Sequence, residues 1–174
     1  TISTLKTAGT IGGESGSSND GKLLAGVVGV SFGNTTVQGC SSTATITANH
    51  GADAAFGGIV AAYKTGTLTV EGCAFEGTMA GNSSNSRCGG IVSYRYGGSC
   101  VVRNSIFAPA SLNNVSTSDD GDTYTIARLS NSANVTIENC YYTTVLGAIQ
   151  GKELRTVTGS STHSVTVAMN GAET

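Results

Sequence analysis

Four segments of this 174-residue chain share one pattern and recur at an almost constant interval. They end in the sequences TTVQGC (35–40), LTVEGC (68–73), CVVRNS (100–105) and VTIENC (135–140). Equivalent positions lie 32 to 35 residues apart. A repeat of this length is typical of a stacked array, in which each unit packs only on its neighbours. The interval therefore constrains the fold more than any single residue does.

Each repeat has the pattern of short β-strands. In Thr67–Glu71, Leu68 and Val70 lie on one face, and Thr69 and Glu71 lie on the other. Alternation with period two is typical of a half-buried strand. Three such strands per repeat, without helical periodicity, predict one coil of a β-helix.

The predicted fold is all-β: a single-stranded, right-handed parallel β-helix (solenoid) of about four rungs with terminal caps. The rungs are expected at about 23–54, 55–86, 87–120 and 121–150. The right hand is inferred from the preference of parallel crossovers. An antiparallel β-sandwich is the alternative, because the turn Lys64-Thr65-Gly66 could close a hairpin.

The two ends fall outside the repeats. Because solenoid ends expose strand edges, residues 1–22 are expected to form an N-terminal cap or partial rung. Residues 151–174 are expected to form a C-terminal cap or to begin the next module. Within them, residues 156–168 alternate as in a hairpin. We expect a monomeric segment of a longer protein.

Aligning the repeats produces columns of equivalent residues. Two columns are apolar enough to face inward: Thr35, Leu68, Cys100, Val135; and Val37, Val70, Val102, Ile137. A third contains only Gly39, Gly72, Asn104 and Asn139, the residue types that best tolerate left-handed backbone geometry, which predicts a sharp corner with positive φ. The outward column Gln38, Glu71, Arg103, Glu138 indicates a surface charge ladder rather than a catalytic cluster.

The chain has five cysteines, and three of them share one column. Cys40, Cys73 and Cys140 take the position that Ser105 takes in the third repeat. A small side chain at a crowded inward position explains this column, since no pair of cysteines has the spacing of a zinc site. We expect free, buried thiols.

Composition and charge narrow the classes of function that this chain can have. Charged residues make up 11% of the chain and its net charge is −2, which provides no basis for nucleic-acid binding. No apolar run reaches the ~18 residues that suggest membrane insertion. Asp119, Asp120 and Asp122 form an acidic cluster whose oxygens could hold Ca²⁺, although the ligand spacing of an EF-hand is missing. No other cofactor and no catalytic residue is predicted.

A group of aromatic residues suggests a binding surface. Tyr94, Arg95 and Tyr96 follow one another, and Tyr63 and Phe32 lie at neighbouring repeat positions. Sugars stack on exposed aromatic faces while nearby polar groups bind their hydroxyls. Tyr63, Tyr94, Arg95 and Tyr96 are therefore the candidate ligand-binding residues, with glycans or host surface proteins as partners.

The patterns G-G-I-V-x-x-Y…L-T-V-E-G-C-x-F-x-G-T and V-T-I-E-N-C-Y-Y resemble GLUG-type and related right-handed β-helix repeats, over about residues 23–150. Such repeats occur in secreted or cell-wall-anchored bacterial surface proteins. The resemblance implies an extracellular structural or adhesive module that is not an enzyme. A carbohydrate-active β-helix, similar to polysaccharide lyases or hydrolases, is the alternative. It is weakened because the acidic residues are scattered, whereas glycoside hydrolysis uses paired carboxylates.

Overall fold

The chain winds into stacked coils of short β-strands. The computed structural model describes residues 1–12, 23–47, 55–81, 87–95, 97–115, 123–128, 134–146 and 164–169. All regular structure in these residues is β-strand. They include three complete coils of five strands each, one partial coil before them and strands of two further coils after them.

The strands follow the repeat. The N-terminal partial coil contains β1 (Ile2–Ser3), β2 (Lys6–Thr7) and β3 (Thr10–Gly12). The first complete coil contains β4 (Leu23–Ala25), β5 (Val28–Ser31), β6 (Thr35–Gln38), β7 (Ser41–Ser42) and β8 (Thr45–Thr47). The second contains β9 (Ala55–Gly57), β10 (Val60–Tyr63), β11 (Thr67–Glu71), β12 (Ala74–Phe75) and β13 (Thr78–Ala80). The third contains β14 (Arg87–Gly89), β15 (Val92–Arg95), β16 (Ser99–Arg103), β17 (Ile106–Phe107) and β18 (Ser111–Asn113). The last strands are β19 (Thr123–Tyr124), β20 (Asn134–Tyr142) and β21 (Ser164–Met169).

Stacking the coils produces four sheets. Sheet I has the order β19-β14-β9-β4, sheet II β15-β10-β5, and sheet IV β18-β13-β8-β3. Sheet III is ten-stranded, because the long strand β20 pairs with both β16 and β17 and also with β21.

Every strand pair in the described ranges is parallel. This confirms the predicted all-β parallel solenoid and shows that the antiparallel sandwich is wrong. Ser164–Met169, the second half of the hairpin expected at 156–168, adds to β20 in parallel, and the first half lies outside the described residues, so the hairpin stays a prediction. The sequence predicts about four rungs, and the described residues contain three complete coils in addition to the partial ones. The right hand stays a prediction.

The inward columns have the predicted register. Val70 pairs with Val37 and Val102, and Val102 pairs with Ile137; each of these side chains is 0% exposed. On β12 and β17, the next strands of the second and third coils, the rings of Phe75 and Phe107 stack with their centroids 6.0 Å apart. Burial of apolar side chains in columns explains why the alternating pattern recurs in every repeat.

The corner after β6, β11 and β16 is left-handed, as the Gly/Asn column predicts. The φ angles of Gly39, Gly72, Asn104 and Asn139 are 60°, 60°, 51° and 49°. The Nδ2 of Asn139 donates to Oδ1 of Asn104 in the preceding coil at 3.5 Å. Asparagine therefore meets the backbone requirement and adds a contact between coils.

We expect Gly72→Val to lower the free energy of unfolding by about 2 kcal/mol, because a left-handed conformation costs an L-residue roughly that much and β-branching aggravates it. Gly72→Asn is the matched control and should change stability by less than about 0.5 kcal/mol, since asparagine already holds this corner in two coils. Thermal melts of both variants decide the point. Equal melting temperatures would show that positive φ is not what the corner requires.

Candidate functional site

Tyr63 points into the coil and not toward solvent. Its side chain is 1% exposed, and it pairs with Ser31 and Arg95 on neighbouring strands of sheet II. This burial does not fit the prediction that Tyr63 presents a ring to a ligand, because all four residues of β10 are buried.

Tyr94 is half-buried, and the guanidinium carbon of Arg128 lies 5.0 Å from its ring centroid. One face of this ring is therefore covered by a cation. Arg95 ends β15, but its side chain lies outside the described residues, as does the whole of Tyr96. The structure thus brings Tyr94 and Arg128 together, and binding by Tyr94, Arg95 and Tyr96 stays a prediction.

Among the residues that the structure describes, Phe32 is the exposed aromatic residue. Its side chain is 65% exposed at the turn after β5, and the Nζ of Lys64 lies 5.3 Å from its ring centroid. The repeat alignment contains a signal for this exposure. Phe32 is equivalent to Lys64, 32 residues later, and a position that accepts lysine normally faces solvent.

Hydrogen bonds between coils hold the Phe32 turn in place. Backbone N–H groups donate across the interface to a carbonyl and to two side-chain oxygens of the neighbouring turn. The pairs are Lys64 N to Ser31 O at 3.0 Å, Gly33 N to Thr65 Oγ1 at 3.1 Å, and Thr67 N to Asn34 Oδ1 at 3.0 Å. The ring of Phe32 therefore projects from a fixed backbone, with hydroxyl and amide groups beside it. We call Phe32, Asn34 and Thr65 the Phe32 corner.

The outward charge ladder has the predicted register on sheet III. The Nη2 of Arg103 lies 2.9 Å from Oε2 of Glu71, with 44% and 36% of the two side chains exposed. The hydrogen bond to Glu71 and the attraction of that carboxylate raise the pKa of Arg103, and Glu138 adds to the effect. An exposed pair of this kind is screened by solvent, so we assign it a minor role in stability.

All five cysteines are free and buried, as predicted. The sulfur atoms of Cys40, Cys73 and Cys140 each lie 3.4 Å from the carbonyl oxygen two residues earlier, where the S–H can donate. Ser105 makes the same bond at 2.9 Å. The shared requirement is a small donor just past the left-handed corner that reaches the carbonyl just before it.

Burial makes three of these thiols weakly acidic. It raises the pKa of Cys100 to about 12 and that of Cys140 to about 11, and it raises the pKa of Cys73 as well. Thiolate is the nucleophilic form of cysteine, so neutral buried thiols are chemically inert.

Stability is expected to fall at alkaline pH, because the folded chain holds the Cys100 and Cys140 protons above the ordinary pKa of 9.0. Their contribution is complete below about pH 9 and is lost as the pH rises through the folded values. Melting temperatures from pH 8 to pH 11 test this. Cys100→Val, which copies Val135 of the same column, should flatten the decline. An identical slope in this variant would contradict the assignment.

In the described part of the chain, no three His, Cys, Asp or Glu side chains come together as metal ligands. Asp119, Asp120 and Asp122 lie outside that part, so calcium binding there stays a prediction. No helix among the same residues is long and apolar enough to cross a bilayer.

Comparisons with protein-family models, curated proteins and solved structures found no match to this chain. The class of this protein is therefore defined by its fold alone, which is a parallel β-solenoid.

Proposed function

We propose that this chain is a non-catalytic structural and adhesive module of a secreted or surface-anchored protein, and that it contacts glycans through the Phe32 corner. The observation that carries the proposal is the 65% exposure of Phe32 on a turn held by inter-coil hydrogen bonds. The resemblance to bacterial surface repeats supports the extracellular location.

The chemistry of the Phe32 corner suits a sugar. A phenyl ring offers an apolar face for the C–H groups of a pyranose, and the neighbouring oxygens and amide offer hydrogen bonds to its hydroxyls. Because the turn is held before binding, ordering it costs little on association.

The rest of the molecule suits a spacer. Buried columns run through successive coils, so each coil is supported by its neighbours over the length of the array. A stiff array of this kind holds a binding corner away from the point where the protein is anchored.

The test is a glycan and mucin array probed with the native chain, with Phe32→Ala and with Leu5→Ala. Leu5 is 42% exposed, so its replacement also removes a surface hydrophobic group. We expect Phe32→Ala to abolish binding and Leu5→Ala to preserve it. Equal binding by all three proteins would disprove a role for Phe32, and no binding by the native chain would leave the spacer role alone.

A further inference from the structure

We infer that the glycan bound at the Phe32 corner is acidic and that Lys64 binds its anionic group. The ligand class is a sugar that carries a carboxylate or a sulfate ester. This inference rests on the proposed function, because it specifies the ligand of the same corner.

The first argument concerns the hydrogen-bonding groups of the Phe32 corner. Gly33 N donates to Oγ1 of Thr65 at 3.1 Å, and Thr67 N donates to Oδ1 of Asn34 at 3.0 Å. Both side-chain oxygens are therefore already engaged by the backbone as acceptors. The O–H of Thr65 and the NH₂ of Asn34 are the donors that these two exposed side chains still offer to a ligand.

Lys64 adds a cation to these donors. Its Nζ lies 5.3 Å from the centroid of the Phe32 ring, and its backbone N donates to Ser31 O at 3.0 Å. The attraction between an ammonium group and an aromatic ring favours this position of the side chain. A sugar that stacks on Phe32 therefore brings the substituents of its own ring close to a positive charge.

The chemistry of the ligand follows from these donors. A sugar hydroxyl both donates and accepts, whereas an ionised acid group only accepts. The hydroxyl, amide and ammonium groups around the Phe32 ring are therefore matched better by an anionic substituent than by a hydroxyl. Hydrogen bonds that involve an ionised partner are also the stronger ones.

The charge of the surroundings favours the same ligand. The acidic residues within the described ranges are Glu71, Glu76 and Glu138. Glu71 is the nearest of them along the chain, six residues after Thr65, which is about 20 Å on an extended strand. That separation exceeds the screening length of about 8 Å at physiological ionic strength, and Glu71 is paired with Arg103. These carboxylates therefore do little to repel an anion at the corner.

The exposure of this surface does not depend on the end of the array. Lys64 and Thr65 belong to the second coil, which has a complete coil on either side. Even there, Lys64 is only half-buried and Thr65 is exposed. The turn between sheets II and III thus faces solvent in an interior coil, and a ligand can reach it from the side of the solenoid.

The test compares oligosaccharides that differ only in charge, by isothermal titration calorimetry. The first pair is an oligogalacturonate and the same oligomer with its carboxylates methyl-esterified. We expect the free acid to bind about tenfold more tightly, as a hydrogen bond to a charged group implies. Raising the salt concentration from about 0.05 to about 0.5 M should reduce this preference. A sulfated galactan oligosaccharide and its desulfated form are the second pair, and they decide whether carboxylate or sulfate is preferred.

Three variants, each checked for folding by circular dichroism, assign the residues. Lys64→Gln should remove the preference for the acid and preserve binding of the ester. Lys6→Gln is the matched control, because Lys6 is exposed on β2 of sheet III and its loss changes the net charge equally. This control should keep the preference. Phe32→Ala should abolish binding of both the acid and the ester.

Equal binding within both pairs, abolished by Phe32→Ala, would overturn the acidic ligand and leave the proposed function standing. A preference for the acid that survives Lys64→Gln would also overturn the inference. If the neutral glycans bind and neither acidic probe does, the inference fails alone. If no glycan binds, it fails together with the proposed function. The ratio of acid to ester binding by the native chain decides the point even where a variant does not fold.

Discussion

Replacing Phe107 with alanine is expected to lower the free energy of unfolding by about 3–5 kcal/mol, the usual loss for a buried phenylalanine. The side chain is 0% exposed, and its ring stacks on that of Phe75 with an angle of 12° between the planes. It also packs closely against the backbone of Gly90. The backbone of Gly90 cannot move into the vacated space without breaking the register of the coils, and a tilt of the Phe75 ring would fill only part of it, so a cavity remains.

The matched control for this substitution is Phe32→Ala. It removes the same ring from a position that is 65% exposed, and a surface change of this kind normally alters stability by less than about 0.5 kcal/mol. Urea titrations followed by far-ultraviolet circular dichroism measure both variants. Similar losses for Phe107→Ala and Phe32→Ala would show that the Phe75–Phe107 stack does not hold the coils together.

Gly58→Ala should destabilise the chain by about 3 kcal/mol, at the upper end of what overpacking usually costs. The added Cβ would lie 2.5 Å from Cγ of Phe75 and would strike the carbonyl oxygen of Gly90. A ring can tilt, but the carbonyl belongs to a hydrogen-bonded coil and cannot move without displacing its neighbours. The collision therefore affects the second and third coils together.

Gly12→Ala is the control for Gly58→Ala. Gly12 ends β3, and no heavy atom of the described residues lies within 4 Å of the position that its Cβ would take. Thermal unfolding should show a melting temperature close to that of the native chain for Gly12→Ala and a large decrease for Gly58→Ala. An unchanged melting temperature for Gly58→Ala would mean that the coils are not stacked as closely as described.

Most of the fold was predictable because its determinants repeat. The register of Val37, Val70 and Val102, and the positive φ of Gly72 and Asn104, follow from aligning the repeats. Alignment compares equivalent positions of the four repeats. It therefore reveals which residue types a position accepts, even when the sequence of one repeat alone does not. The hairpin expected at 156–168 stays a prediction, because alternation indicates a strand but says nothing about the direction of its partner, and the structure describes only Ser164–Met169 of it.

The candidate site was predicted less well. Tyr63 was interpreted from residue type alone, whereas its burial depends on which face of β10 points inward. Sheet II contains consecutive apolar residues, with Val60, Ala61 and Ala62 all 0% exposed, so period two does not reveal the inner face. The exposure of Phe32 was readable only by comparison with Lys64. The inter-coil hydrogen bonds that fix its turn depend on geometry that spacing does not specify.

The stacking of coils also determines how the chain would respond to force. In the described ranges, strand pairing joins each coil to the coils on either side, through hydrogen bonds that run along the solenoid axis. A pull along that axis, applied at the two ends of the array, loads the end coil first and detaches it by breaking its bonds in sequence. A released repeat of 32 to 35 residues extends to about 110 Å, while the array shortens by only about 4.8 Å. Under tension the molecule would therefore unfold coil by coil, lengthening in steps and dissipating mechanical work at each step.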